Sequence, residues 1–160
     1  MGQNLLRCAC KIGGCEIVAA VERPDHPAIG APVKEVSGIR SECLSDALRY
    51  TDEWPGHAEV VIDFTFHTSI RDNLAHALAC RQAYVLGTTG LTEEEKRAVF
   101  AASEQLPIVW APNMSLGINL LLELVRRSAS VLGTDYDVEI VEMHHRSEER
   151  RVGKECTIQC

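Results

Sequence analysis

His144 and His145 stand side by side directly after the β-branched run Asp137-Val138-Glu139-Ile140-Val141-Glu142-Met143. The run reads as a strand, and open α/β sheets place their chemistry at the carboxyl ends of their strands. Successive strand residues face opposite ways, so both imidazoles can serve one site only where the strand has given way to a loop. Imidazole titrates near neutral pH: one ring can exchange a proton, and a cationic ring can hold a carboxylate. For either histidine taken singly, a structural ring with satisfied hydrogen bonds is an equal alternative.

Further groups carry side chains suited to ligand binding. Gly87-Thr88-Thr89-Gly90 lies between a strand pattern and a helix pattern. Its glycines admit close backbone approach and its hydroxyls can donate to a ligand, although an ordinary βα turn uses the same residue types. Ala111-Pro112-Asn113-Met114 holds the equivalent place after the next strand. There Asn113 can hydrogen-bond a carboxamide or cap the helix that follows. Glu22-Arg23 closes the first strand pattern. In dinucleotide folds an acidic residue at that point accepts from the adenosine ribose hydroxyls, and an arginine meets the phosphate of NADP. Two exposed charges ending a strand would look the same.

The elements that must position these groups alternate. Apolar Leu5, Leu6 and Ala9 predict a helix from Met1 to about Lys11, with no strand before it. Glu16-Ile17-Val18-Ala19-Ala20-Val21 suits a buried parallel strand. Between Pro24 and Gly56 only a short helix near Leu44–Tyr50 is expected. Glu59-Val60-Val61-Ile62-Asp63-Phe64 is the clearest strand, and Ile70, Leu74 and Leu78 mark one face of the helix after it. Ala83-Tyr84-Val85-Leu86 is the next strand, followed by a helix opened by a Thr92–Glu95 capping box. Pro107-Ile108-Val109-Trp110-Ala111 is another strand. Ser115 is placed to cap a helix with Ile118, Leu121, Leu122, Val125 and Leu132 on its apolar face, which Gly133 ends. Alternation at these intervals predicts an α/β fold, a Rossmann-like doubly wound parallel sheet. It lacks the first strand with its G-x-G-x-x-G turn, which normally seats the pyrophosphate on a helix N-terminus.

A formal charge of −7, with 46% apolar and 24% charged residues, is ordinary for a globular domain and offers no basic patch for nucleic acid. No apolar run approaches the ~20 residues of a membrane helix and no signal peptide is visible, so a cytoplasmic protein is expected. The seven cysteines form no zinc spacing and are expected as buried, reduced thiols, with no metal implied.

Taken in order, Glu22-Arg23, Val61-Ile62-Asp63-Phe64-Thr65, Gly87-Thr88-Thr89-Gly90, Ala111-Pro112-Asn113-Met114-Ser115-Leu116-Gly117 and Glu142-Met143-His144-His145-Arg146 resemble the 4-hydroxy-tetrahydrodipicolinate (dihydrodipicolinate) reductase family. The likeness runs from Met1 to about His145 and rests on the G-T-T-G and E-x-H-H-R elements in that order. It implies an NAD(P)H-dependent oxidoreductase acting on CH or CH2 groups. Its substrate would be a cyclic imine dicarboxylate of lysine and diaminopimelate biosynthesis, with NADPH or NADH as cofactor and a homotetramer of two-domain subunits. By position, Glu22 and Arg23 would meet the adenosine ribose or its phosphate. Gly87, Thr88, Thr89, Ala111, Pro112, Asn113 and Met114 would line the nicotinamide site. His144 would be the catalytic acid/base and His145 would bind substrate.

The chain departs from the family pattern after those histidines. Glu148 stands where the family has a catalytic lysine, and no Ser-Gly-Thr substrate loop follows. Residues 146–160 read instead as a translated adapter oligonucleotide, expected to be an artefactual, disordered tail. Residues 1–145 are expected to be a partial dinucleotide-binding domain without its substrate and assembly domain, and inactive alone. Another NAD(P)-linked oxidoreductase and a non-catalytic nucleotide-binding module remain as alternatives.

Overall fold

The computed structural model describes residues 1–137, 139 and 141. The expected strand ending at Met143, the His144–His145 pair and the tail at 146–160 therefore fall wholly or partly outside the described residues. The chain divides into two compact units, residues 1–114 and 115–160.

The first unit opens with helix α1 (Gly2–Ile12), whose Leu6 packs on a cluster of Ala28, Val33, Ile39, Leu44 and Tyr50. Strand β1 (Ala20–Val21) pairs in parallel with β2 (Tyr50–Thr51), joining Ala20 to Tyr50 and Val21 to Thr51. Between them lies a five-residue helix, α2 (Val33–Ser37), which starts after Pro32 and stops at Gly38 in the left-handed region, φ 66°. No helix forms at 44–50, where one was expected. Leu44 and Tyr50 are instead drawn into the core and Tyr50 into the strand pair, so tertiary burial outweighs local pattern.

A second sheet carries the rest of the unit. Strands β3 (Val60–Asp63), β4 (Ala83–Leu86) and β5 (Ile108–Trp110) are parallel in the order β3-β4-β5. A single-turn 3-10 segment (His67–Ser69) and helix α3 (Ile70–Cys80) connect the first two, and helix α4 (Glu93–Ser103) the second pair. Ile70, Leu74 and Ala77 of α3 and Val99 and Ala102 of α4 bury against Tyr84 and Leu86 of β4. Both helices thus lie on one face of the sheet. On the other face Val60, Ile62 and Val109 are exposed. This is an α/β, Rossmann-like fold with its parallel strands in two open sheets rather than one. In the second unit, helix α5 (Leu116–Leu132) is capped by Ser115, whose hydroxyl accepts from the Ile118 amide at 3.4 Å, and ends at Gly133.

The cysteines depart from expectation. Cys10 of α1 and Cys43 are joined in a disulfide, with Cα atoms 5.4 Å apart and a sequence separation of 33. Cys8 and Cys15 are exposed rather than buried, and Cys80 is half-buried. Both bonded sulfurs sit against the Ala28–Tyr50 cluster, which brings them within bonding reach although their spacing gives no hint of it.

Candidate active site

The register of the second sheet sets its carboxyl ends level. Asp63 is opposite Leu86, and Leu86 opposite Trp110. The residues that follow, Phe64, Gly87 and Ala111, leave the sheet in one row. Two backbone bonds extend the ladder past the strands: Gly87 N–H donates to Asp63 O at 2.8 Å, and Ala111 N–H to Leu86 O at 3.1 Å. The turns predicted to bind ligand, Gly87–Gly90 and Ala111–Met114, are thus brought together with the unforeseen turn Phe64–Phe66.

Gly87 and Thr88 are buried, while Thr89 and Gly90 are exposed. Gly87 lies under the Phe64 ring, and a Cβ built there would collide with three atoms of that ring. Gly90 has φ 76°, a left-handed turn that glycine adopts freely. The Thr88 hydroxyl faces inward, donating to Thr65 O at 3.2 Å and lying 3.4 Å from Asp63 Oδ1. Of the two threonines, Thr89 therefore holds the outward position. Pro112, Asn113 and Met114 are exposed and Ala111 is half-buried.

Beneath the row sits a carboxylate that spacing alone did not mark as important. Asp63 is buried, 3% exposed. Its Oδ1 accepts from Thr65 N–H at 2.7 Å, and its Oδ2 accepts from Asn73 Nδ2 of α3 at 2.9 Å and from the Tyr84 hydroxyl. Burial, and then the Asp63 charge, push the Tyr84 phenol far above its ordinary value. A second strap joins the elements that follow these turns: His67 Nδ1 of the 3-10 segment lies 3.0 and 3.3 Å from the two oxygens of Glu95 in α4. Glu95 also closes the capping box, accepting from Thr92 N–H at 2.7 Å while its own amide donates to Thr92 Oγ1 at 3.2 Å. The Thr92 amide, and next the His67 ring, hold the Glu95 carboxyl below its usual range. The capping box was legible because its partners are three residues apart. The His67–Glu95 pair spans 28 residues and had no local signal.

Glu22 and Arg23 lie at the end of β1, in the other sheet. Glu22 is half-buried, and its amide donates to Thr51 O at 2.8 Å. Burial, and then the Glu22 charge, raise the nearby Tyr50 phenol. Arg23 is exposed and paired with exposed Asp25 at 3.0 Å. Such a pair contributes at most about 1 kcal/mol, so a bound anion could displace Asp25. Among the described residues no group of three His, Cys, Asp or Glu side chains could hold a metal ion. No described helix is long and apolar enough to cross a membrane.

Residues 1–114, the whole first unit, match the family model described as dihydrodipicolinate reductase, N-terminus. The chain belongs to the dihydrodipicolinate reductase family. The N-terminal domain of these reductases is their NAD(P)-binding domain. Among relatives, the 4-hydroxy-tetrahydrodipicolinate reductase of Anaeromyxobacter sp. (strain Fw109-5) is 41% identical over 146 residues, 91% of this chain and 53% of the relative. The reductase of the same name from Anaeromyxobacter dehalogenans (strain 2CP-C) is 40% identical over 149 residues, 91% of this chain and 54% of the relative. The chain thus spans about half the length of the curated reductases it matches.

Proposed function

We propose that the row of turns at the carboxyl ends of β3, β4 and β5 is the nicotinamide end of an NAD(P)H site. The observation that carries this reading is the strand register, which levels Gly87–Gly90 with Ala111–Met114 in the very unit that matches the reductase family. The residues fit the group. Gly87 makes room for the Phe64 ring that closes the turn, Thr89 is exposed for a polar contact, and exposed Asn113 is suited to a carboxamide. Glu22 and Arg23 take the adenosine ribose and, in NADPH, its phosphate, with Arg23 leaving Asp25 to do so. The 160 residues contain no G-x-G-x-x-G turn, so the pyrophosphate lacks its usual cradle within them and affinity is weak.

The reaction is reduction of 4-hydroxy-tetrahydrodipicolinate to tetrahydrodipicolinate, in which the 4-hydroxyl leaves as water, in the cytoplasm, by a homotetramer. The bound dinucleotide supplies a hydride, which makes the enzyme an oxidoreductase acting on CH or CH2 groups. His144 exchanges the proton and His145 holds a substrate carboxylate, both at the end of residues 1–145, a partial dinucleotide-binding domain. Residues 146–160 are foreign to it. With about half the length of its relatives, this chain alone does not hold cofactor and substrate at attack distance.

The test is NADPH oxidation by the purified 160-residue chain with the cyclic imine as substrate. No imine-dependent turnover is expected above the background without protein. Sustained turnover would show that these residues suffice, and that the reading of an incomplete site is wrong.

A further inference from the structure

Asp63 is a buried carboxylate that the proposed hydride and proton steps do not use. It ends β3, so neither strand nor helix periodicity requires a polar residue there, and burying an unpaired carboxylate is costly. It is fully partnered instead. Asn73 of α3 and Tyr84 of β4 donate to Oδ2 from the packed side of the sheet. Thr65 N–H donates to Oδ1 from one turn, and the Thr88 hydroxyl of the other, which donates to Thr65 O, lies 3.4 Å from Oδ1. This pattern uses the acceptor capacity of an ionised carboxylate and joins three elements to two turns. The core-side bonds fix the carboxylate, and the turn-side bonds transmit its position outward. The Phe64 ring then seats on Gly87, closing the same two turns against each other.

We propose that Asp63 is the positioning residue of the nicotinamide site, locking the Phe64–Phe66 and Gly87–Gly90 turns together so that Thr65, Phe66 and Thr89 form one fixed rim against the dinucleotide. This rests on the cofactor reading given above. Thr65, Phe66 and Thr89 are all exposed at that rim, while Asp63, Tyr84 and Thr88 beneath them are buried and Phe64 and Asn73 half-buried. Thr88 is thereby assigned a positioning role rather than direct contact through its hydroxyl. A site held within a fraction of an ångström needs such support beneath its contact residues.

The test uses the isotope-labelled 160-residue chain, first without ligand and then titrated with NADPH. Amide hydrogen exchange is followed at Thr65 and Thr88–Gly90, with Val85 of β4 and Val99 of α4 as internal controls. Loss of one such hydrogen bond corresponds to about a tenfold change. Asp63→Asn and Thr88→Val are expected to speed turn exchange by about tenfold, leave the controls unchanged, and weaken the NADPH-induced shifts at Thr89 and Gly90 by about tenfold. Thr88→Ser keeps the hydroxyl and is expected to restore both. Wild-type exchange and titration in a folded Asp63→Asn chain would overturn the proposal. Should that variant fail to fold, Thr88→Val decides alone, and wild-type behaviour there overturns it. If the unaltered chain shows no NADPH-induced shifts at the turns, the cofactor reading fails. The exchange comparison still decides whether Asp63 holds them.

Discussion

At the scale of single residues, the site depends on what each position excludes as much as on what it offers. Gly87 is required by the Phe64 ring above it, not by a special backbone angle. Gly87→Ala should therefore cost about 1–3 kcal/mol of overpacking. Pairing it with Phe64→Ala should recover part of that loss in a denaturant-unfolding cycle, and simple additivity would contradict the contact. Tyr84 gives a pH prediction with a definite sign. Its phenol is raised in the folded state, so its contribution is complete below the ordinary value of 10.0 and is lost as pH rises above it. The unfolding free energy should decline through that alkaline window, and Tyr84→Phe should flatten the decline. The same substitution should cost about 1.5–3 kcal/mol at neutral pH, because the bond it removes is made to a charged group. An unchanged alkaline slope would show that Tyr84 is not the responsible group.

At the scale of elements, the local signals were the legible ones. The Thr92–Glu95 box, the Ser115 cap and the Gly133 stop are formed by neighbours in sequence, and each stands where its residues predict. Thr92→Ala should lower the thermal midpoint through a loss of about 1 kcal/mol, since the Glu95 amide loses its partner. A variant as stable as the original would mean that the box does not limit the start of α4. Signals that depend on distant partners were hidden. Asp63 reads as an ordinary residue near the end of a strand until Asn73 and Tyr84, 10 and 21 residues away, are folded against it. The expected helix at 44–50 was misread because its apolar residues are spaced for a core that only folding assembles. Helix α2 has just five residues, too few to show a period, though Pro32 and left-handed Gly38 mark its ends. Cys10 and Cys43 likewise meet only through the cluster that α1 covers.

At the scale of the whole molecule, the first unit contains the proposed cofactor contacts from Glu22 through Met114, and it is the part that matches the reductase N-terminal family. His144 and His145, assigned to substrate chemistry, come later in the chain. On the proposed reading, binding and reaction fall to different stretches, and the first should persist without the second. The family was legible because its motifs come in fixed order, and those among the described residues sit at strand ends. The division into two sheets was not, because hydrophobic runs report burial and leave open which strand is the neighbour. The most direct test of the central claim is a crystal structure of the chain grown with NADPH. The nicotinamide ring is predicted against Gly87–Gly90 and Ala111–Met114, with the adenosine ribose at Glu22–Arg23. A dinucleotide seated elsewhere on residues 1–114, or with its nicotinamide turned away from those strand ends, would contradict it.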